Sequence, residues 1–328
     1  MLEFKGQAEL RSEKLVTARG YVYTRWVELM PRIPEALTNS IVYLYEDTLA
    51  SEQGEDAGGS GFLLAMSSEV RPPAMHVYAV TNAHVIETGC TCVRINLRYS
   101  SGTSKVETFA FGDADWVKHE SHDLAVCQLP VDFYPDHYSI SLIGTSFLVT
   151  EERFIKHNIG PGDELVYIGR FMGHAGKLQN LPSVRFGTIS MNPNVDEPVE
   201  YICNGRQRKQ VGFLVEARSR SGYSGSPVFF LEQHAINSPR TVMPPFDMCL
   251  LGVDWGHIPE TIPITIRNSH GRPVSDTYWQ AEVHSGMMGV VPSWYLLDFL
   301  NNSPKLIERR ARDDEHYAKF KSTGTADA

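Results

Sequence analysis

Short runs of apolar and β-branched residues, separated by turn-forming clusters such as 55–59, recur along most of this chain. Many short strands at close spacing are typical of an all-β barrel or sandwich, so we predict an all-β fold. The strands fall into two sets, of which the first comprises 41–45, 62–64, 77–80, 93–97 and 126–129, and the second comprises 165–169, 184–189, 212–215, 228–231, 250–255 and 289–291.

The segments outside these strands suggest how the chain is divided. An N-terminal extension, polar and partly helical, is interrupted by Pro31 and Pro34. Strand periodicity fades near 136–160, which we interpret as the connector between the two sets. The predicted units are the extension at 1–36, an N-terminal β domain at 37–145, a C-terminal β domain at 146–299 and a helical tail at 300–328.

Two further segments have recognisable patterns. Ser293 is typical of a helix N-cap before an apolar stripe, and a second, charged helix is predicted after Pro304, at 308–321. The polar insertion at 257–287 is long for a connection between two strands. We expect it to form a lid or an exosite.

The sequence Gly-Tyr-Ser-Gly-Ser-Pro at 222–227 gives a serine the surroundings that a nucleophile needs. Gly222 and Gly225 lack a Cβ, so the backbone can turn sharply and approach a substrate closely. Ser224 lies between them, with its hydroxyl and its N–H available to one bound carbonyl. Taken alone, the hexapeptide could equally be a glycine-rich hairpin.

Two segments upstream favour the nucleophile. Thr-Asn-Ala-His-Val at 81–85 follows one predicted strand, and His-Asp-Leu-Ala-Val at 122–126 begins another. The order His84, Asp123, Ser224 is that of chymotrypsin-type proteases and differs from the orders in α/β-hydrolases and subtilisins. The hydrolase elbow also requires a glycine two places after the serine, where this chain has Ser226.

From about Gly58 to Trp294 the chain resembles the trypsin-like serine proteases, and more narrowly their disulfide-free HtrA-like branch. Besides the three segments above, the resemblance rests on short motifs in the family's order at 59–62, 162–165, 251–256 and 289–293. It implies a chymotrypsin-like fold of two six-stranded antiparallel β-barrels, here with the N-terminal extension and C-terminal helices. HtrA-like proteins often carry a PDZ domain after the protease body, and the roughly thirty residues that follow here are too few for one.

The resemblance implies a role for each matched residue. Asp123 orients His84, which acts as the general base for Ser224, and the N–H groups of Gly222 and Ser224 form the oxyanion hole. The expected reaction is hydrolysis of peptide bonds through an acyl-enzyme, without a cofactor.

The family pattern also places a substrate pocket beside the serine. Arg218 and Ser219 lie on the loop beneath it, and Trp255, Gly256 and Gly289 line its walls. An inward-pointing arginine would favour an acidic residue before the scissile bond. The alternative is that the arginine points to solvent, since the direction of a loop is unreadable from sequence.

Tyr223 departs from the family. Trypsin-like zymogens have an aspartate before the catalytic serine, which pairs with a newly cut N-terminus. This chain has Tyr223 there, and Ile41-Val42 lies within a predicted strand and not at a processing site. We therefore predict that activation does not depend on propeptide cleavage.

Composition limits partners and location. The net charge of −9 argues against nucleic acid as a partner, and no apolar stretch reaches membrane-spanning length. His119, Glu120 and His122 are close in sequence but make no complete ligand motif, so no metal is expected. Five cysteines without scaffold spacing indicate a reducing compartment, and we expect a cytoplasmic location.

The sequence thus predicts a trypsin-like serine endopeptidase whose partner is a protein or peptide substrate. It identifies no regulatory partner, although a cytoplasmic protease must be restrained. One alternative is a scaffold or binding protein that kept the fold and lost turnover. A second is another acyl hydrolase such as an esterase, which the order of the triad disfavours.

Overall fold

The computed structural model describes residues 12–16, 22–26, 33–56, 58–70, 72, 74–98, 105–130, 133, 135–217, 221–233, 246–265, 267, 270 and 279–324. Strands are the commonest regular structure in the described chain and outnumber the helices. Its strands form a two-stranded ribbon, an eight-stranded sheet, a closed six-stranded barrel and a separate hairpin. The ribbon pairs β1 (Ser12–Val16) with β2 (Val22–Trp26) in antiparallel orientation.

The N-terminal sheet contains the first predicted set of strands. It comprises β3 (Ile41–Tyr45), β4 (Gly59–Ser67), β5 (Met75–Thr81), β6 (Cys92–Asn96), β7 (Val106–Phe109), β8 (Trp116–Lys118), β9 (Ala125–Gln128) and β10 (Ile143–Gly144). The order across the sheet is β7-β6-β3-β4-β5-β9-β8, and β10 pairs with β4 in parallel. All other pairs in this sheet are antiparallel.

The C-terminal barrel contains the second set and is closed in the order β11-β12-β15-β18-β17-β16. A hairpin of β13 and β14 is inserted between β12 and β15 and pairs only with itself among the described strands. The strands are β11 (Glu164–Gly169), β12 (Ser183–Met191), β13 (Val199–Cys203), β14 (Arg206–Gln210), β15 (Phe213–Glu216), β16 (Pro227–Gln233), β17 (Phe246–Ile264) and β18 (Trp279–Pro292).

Of the two closed six-stranded barrels predicted, the structure confirms the C-terminal one. The N-terminal sheet curls as a half-barrel, but within the described residues its edge strands β7 and β8 do not pair. A barrel closes only when its edge strands are long enough and suitably staggered to pair. These edges have four and three residues.

The helices are short except at the C-terminus. They are α1 (Glu35–Thr38), α2 (Thr48–Gln53), α3 (Ala83–Glu87), α4 (Glu151–Lys156), α5 (Ser293–Asn302) and α6 (Pro304–Gly324). The two predicted C-terminal helices are confirmed as α5 and α6. Ser293 is the first residue of α5 and not its cap, because its hydroxyl donates to the carbonyl of Val149 at 2.7 Å.

Two segments differ from the sequence prediction. The partly helical extension contains the β1–β2 ribbon, and β2 is rich in the β-branched and aromatic residues that favour strands. The insertion at 257–287 is not a loop but largely a continuation of β17 and β18, paired out to Ile264 and Trp279. Its expected role as a lid or an exosite stays a prediction. Most residues at its tip lie outside the described part of the chain.

One apolar core joins the two sheets. Phe62 and Val126 of the N-terminal sheet belong to the same buried cluster as Val166 and Phe229 of the barrel. Each sheet also has its own cluster on its other side. The two sheets are therefore held against each other by burial of apolar surface.

Arg94 adds a polar clamp between the sheets. Its fully buried side chain extends from β6 and donates to the hydroxyl of Tyr45 at 2.8 Å. It also donates to the carbonyls of Gly176 and Lys177, in the connection between β11 and β12. A buried cation that donates to several acceptors is expensive to remove, because each acceptor then loses its partner.

We expect Arg94→Met to lower the free energy of unfolding by about 3 kcal/mol, because carbonyls of the 176–177 segment lose a charged donor. Urea unfolding followed by fluorescence measures this change. The matched control is Arg206→Met at an exposed position, which should stay within about 0.5 kcal/mol of wild type. Equal effects of the two substitutions would contradict the clamp.

Candidate active site

Ser224 lies in a tight turn that leads into β16. The glycines on either side have positive φ angles, +98° at Gly222 and +87° at Gly225. A Cβ on Gly225 would also collide with the carbonyl oxygen of Ser60 and the hydroxyl of Thr81. Only glycine fits there, which is the physical reason for this part of the motif.

The turn leaves two backbone donors available. The N–H of Ser226 donates to the carbonyl of Tyr223 at 2.8 Å, and the N–H of Gly225 donates to the carbonyl of Asp254 at 2.9 Å. Within the described part of the chain, no acceptor is found for the N–H groups of Gly222 and Ser224. These are the two donors that the sequence assigned to an oxyanion hole.

Ser60 of the N-terminal sheet holds this turn. Its N–H donates to the carbonyl of Ser224 at 2.9 Å, and its hydroxyl donates to the carbonyl of Gly222 at 2.7 Å. The same hydroxyl accepts from the N–H of Arg170 at 2.8 Å. Sequence reasoning recognised 59–62 as a strand motif but missed this contact with the nucleophile turn.

His84 and Asp123 form an oriented pair. The side chains join through His84 Nδ1 and Asp123 Oδ2 at 2.6 Å, and the His84 N–H donates to Asp123 Oδ1 at 2.9 Å. The side chain of Asp123 is 1% exposed and that of His84 is 12% exposed. An ionised carboxylate only accepts, so this contact places the proton of neutral His84 on Nδ1 and leaves Nε2 as an acceptor.

Two amide side chains fix Asp123 in turn. Asn82 Nδ2 donates to the carbonyl of Asp123 at 2.8 Å, and Gln210 Oε1 accepts from its N–H at 2.9 Å. Asn82 belongs to the motif at 81–85, whereas Gln210 comes from β14 and was not predicted. Supporting residues of this kind keep a catalytic side chain within the narrow geometry that catalysis requires.

Gly59 lies between the helix that carries His84 and the turn that carries Ser224. A Cβ on Gly59 would lie 2.9 Å from Val85 Cγ2 and 3.1 Å from the carbonyl oxygen of Ser224. The residue after His84 and the backbone of Ser224 therefore approach each other across Gly59, whereas the joint role of the three residues stays a prediction. No hydrogen bond is found between the Ser224 hydroxyl and His84 among the described contacts, and catalytic hydrogen bonds are often long before substrate binds.

Three of the predicted pocket residues lie together beside the serine. Gly256 and Gly289 are cross-strand partners on β17 and β18, and a Cβ on Gly256 would lie 3.8 Å from Ser224 Oγ. Trp255 is almost fully buried, and its ring covers Gly289. Their role in a pocket stays a prediction, and Arg218 and Ser219 lie outside the described residues.

Asp254 connects β17 to the turn at 222–227. Besides accepting from Gly225, its backbone donates to the carbonyl of Ser226 at 2.9 Å. Its buried side chain accepts from the N–H of Gly256 at 2.6 Å. Asp254 lies in the motif at 251–256, but its carboxylate was not predicted to take part in the site.

The β13–β14 hairpin covers the side of the site next to Asp123. Arg208 forms an ion pair with Glu87 of α3, and Asn204 Nδ2 donates to the carbonyl of His84 at 3.5 Å. A cleft of about 350 Å³ lies between the hairpin and residues 118–123. The hairpin therefore contacts the helix that carries the candidate base and borders an open space beside it.

His119 and His122 are occupied by contacts of their own. His122 stacks on Tyr295 with 3.9 Å between ring centroids, and its Nδ1 lies 2.7 Å from Gln210 Nε2. His119 Nδ1 accepts from the N–H groups of Ser121 and His122, each at 3.1 Å. Among the described residues, no group of three or more His, Cys, Asp or Glu side chains is placed to hold a metal ion.

No protein-family model and no curated protein sequence matches this chain. Of the helices that the structure describes, none combines the length and the apolar character needed to cross a membrane. The five cysteines form no disulfide bond with one another. The structural findings are therefore a mostly β fold with one closed barrel and one half-barrel, and the local geometry around Ser224.

Burial lowers the pKa of His122 from 6.5 to about 4, with a smaller effect from His119. Between these values the unfolded chain binds a proton that the folded chain does not. Stability is therefore lost as the pH falls from about 6.5 towards 4. Lowering the pH from 7.5 to 5.0 should therefore reduce the free energy of unfolding by about 1 kcal/mol through His122. The loss is smaller than it would be for a fully buried group, because His122 is partly exposed to solvent.

His122→Gln should reduce this loss of stability by that amount, because glutamine carries no titrating group. Urea unfolding of wild type and variant at pH 7.5 and 5.0 gives the change in the free energy of unfolding for each protein. Comparing these two changes removes any effect of the substitution that is the same at both pH values. If both proteins lose the same stability on acidification, the depressed pKa of His122 is wrong.

Proposed function

We propose that this protein is a serine endopeptidase of the trypsin-like class. The observation that carries the proposal is the buried, oriented His84–Asp123 pair beside a glycine-bounded turn that holds Ser224 and two available N–H groups. The closed C-terminal barrel and the curled N-terminal sheet are compatible with the chymotrypsin-like double barrel. The site would lie between these two units.

The proposed reaction follows from the acceptor at His84 Nε2. Nε2 takes the proton of Ser224 as its Oγ attacks the carbonyl carbon of the scissile peptide bond. Negative charge then develops on the carbonyl oxygen, and the N–H groups of Gly222 and Ser224 stabilise it. Asp123 stabilises the imidazolium, which donates its proton to the leaving amine, and water hydrolyses the acyl-enzyme by the same steps.

The surroundings of the site support two finer parts of this proposal. Ile41 and Val42 are buried and paired within β3, so a cut before Ile41 would have to disrupt the central part of a sheet. This favours a protease that needs no N-terminal cleavage. The absence of disulfide pairing among the five cysteines is compatible with a reducing, cytoplasmic location.

One observation favours a second candidate, a catalytically silent protein of the same fold. No hydrogen bond joins Ser224 and His84 among the described contacts, although His84 pairs with Asp123. A protein that binds peptides without cleaving them could retain the same turn and the same buried pair. The two candidates differ in whether Ser224 reacts.

A fluorophosphonate probe separates the candidates. We expect it to label the wild-type protein and not Ser224→Ala, and Ser224→Ala to reduce peptide hydrolysis by at least about 10⁴-fold, as loss of a triad nucleophile does. The matched control is Ser226→Ala, two residues away. Its hydroxyl is fully buried and has no hydrogen-bond partner in the described structure, so the variant should label like wild type.

Labelling that persists in Ser224→Ala refutes the nucleophile assignment. A wild-type protein that neither reacts with the probe nor cleaves peptides supports the silent alternative. Loss of labelling in Ser226→Ala alone would identify a different serine as the nucleophile.

A further inference from the structure

Tyr223, the residue immediately before the candidate nucleophile, is anchored inside the C-terminal barrel. It is fully buried, and its ring packs edge-on against Tyr167 with 5.4 Å between centroids. Its hydroxyl accepts from Arg185 Nε at 2.7 Å and shares a hydrogen bond with Ser183 Oγ. Arg185 and Ser183 both belong to β12, so the anchor is part of the barrel wall.

Arg185 contacts Tyr223 in two ways. Besides the hydrogen bond to the hydroxyl, its guanidinium carbon lies 5.0 Å from the centroid of the Tyr223 ring. Hydrogen bonds from charged donors are stronger than those between neutral groups, and a cation near an aromatic face adds further attraction. The side chain of Tyr223 therefore has one well-defined position.

That position restricts the backbone of the turn. The two peptide groups attached to the Cα of Tyr223 carry the carbonyl of Gly222 and the N–H of Ser224. The N–H of Gly222 lies one peptide group farther along, next to the Gly222 carbonyl that Ser60 holds. The flexible points are the glycines at 222 and 225, whose freedom would let the turn adopt other conformations. Ser60 holds the outer face of the turn through the carbonyls of Gly222 and Ser224, and the tyrosine holds it from inside.

We propose that Arg185 and Ser183 are positioning residues that act through Tyr223. They hold the turn in the conformation that offers the N–H groups of Gly222 and Ser224 to a developing oxyanion, without a contribution from a cut N-terminus. The inference rests on the proposed function and goes beyond that function. It identifies the contacts of Arg185 and Ser183 with Tyr223 as the interactions that take the place of an N-terminal ion pair. Among the described side-chain hydrogen bonds, those of Arg185 and Ser183 lead to Tyr223 and not to the Ser224 hydroxyl or His84.

The test uses the full chain with Tyr223→Phe, which removes only the hydroxyl, and Arg185→Gln, which removes the charged donor. We expect each to slow fluorophosphonate labelling by about 10- to 100-fold, less than the roughly 100- to 1,000-fold cost of removing an oxyanion-hole donor outright. In peptide hydrolysis kcat should fall while KM stays within about two-fold of wild type, because these donors act mainly in the transition state. Arg185→Lys, which keeps a cationic donor, should recover part of the rate.

Tyr43→Phe is the matched control. Tyr43 is also fully buried, but its hydroxyl has no hydrogen-bond partner in the described structure. Removing that hydroxyl should leave the labelling rate and kcat at wild-type values. Because Arg185 is only partly buried, Arg185→Gln also keeps the inference testable if Tyr223→Phe does not fold.

The outcomes separate the inference from the proposed function. Unchanged labelling in both Tyr223→Phe and Arg185→Gln, with a reactive wild type, overturns the anchor alone. The anchor is also overturned if Tyr43→Phe slows labelling by as much as Tyr223→Phe does. The same holds if the labelling rate of the variants simply follows the fraction of protein that is unfolded. If the wild-type protein does not react with the probe, the proposed function itself is wrong. If labelling appears only after N-terminal cleavage, which intact-mass measurement detects, the claim that the turn is preformed is wrong.

Discussion

The site depends on the hydrogen bonds that Ser60 makes between the two sheets. Ser224 precedes a strand of the C-terminal barrel, whereas His84 and Asp123 lie beside strands of the N-terminal sheet. In the proposed enzyme, a displacement of about 1 Å between reacting groups would cost roughly 100-fold in rate, so the proposed reaction requires a fixed relative position of the two units. Ser60 fixes it at the site by holding both carbonyls that flank Tyr223. The shared apolar core and the Arg94 clamp hold the sheets together farther away.

The glycines of the site follow from this close contact. Gly225 must lie against the carbonyl of Ser60, and Gly59 must fit between Val85 and the carbonyl of Ser224, so neither position has room for a side chain. Glycine allows the approach but brings conformational freedom that folding must remove. Buried polar contacts from Ser60, Tyr223 and Asp254 restrict that freedom. The result is a turn with tight packing and few alternative conformations.

The sequence predicted the parts of this structure that are encoded locally. The runs at 41–45 and 228–231 are strands, and the motifs at 81–85 and 122–126 bring His84 and Asp123 into a hydrogen-bonded pair. The missed residues act over long distances along the chain: Ser60 contacts Gly222, and Gln210 contacts Asp123. No local pattern distinguishes such residues from ordinary strand positions. The described strands do not confirm closure of the N-terminal sheet, and no local pattern predicts it, because the lengths of its edge strands depend on tertiary pairing and not on local propensity.

The chemical nature of the Tyr223 anchor has a consequence for the pH dependence of the proposed enzyme. An N-terminal ion pair contains an amino group that titrates near pH 8, so a turn held in that way weakens as the solution becomes alkaline. The anchor of Tyr223 contains no N-terminal amino group, because the turn is held by Arg185, Ser183 and Ser60. The proposed enzyme should therefore keep this turn at moderately alkaline pH, where an N-terminal ion pair would weaken.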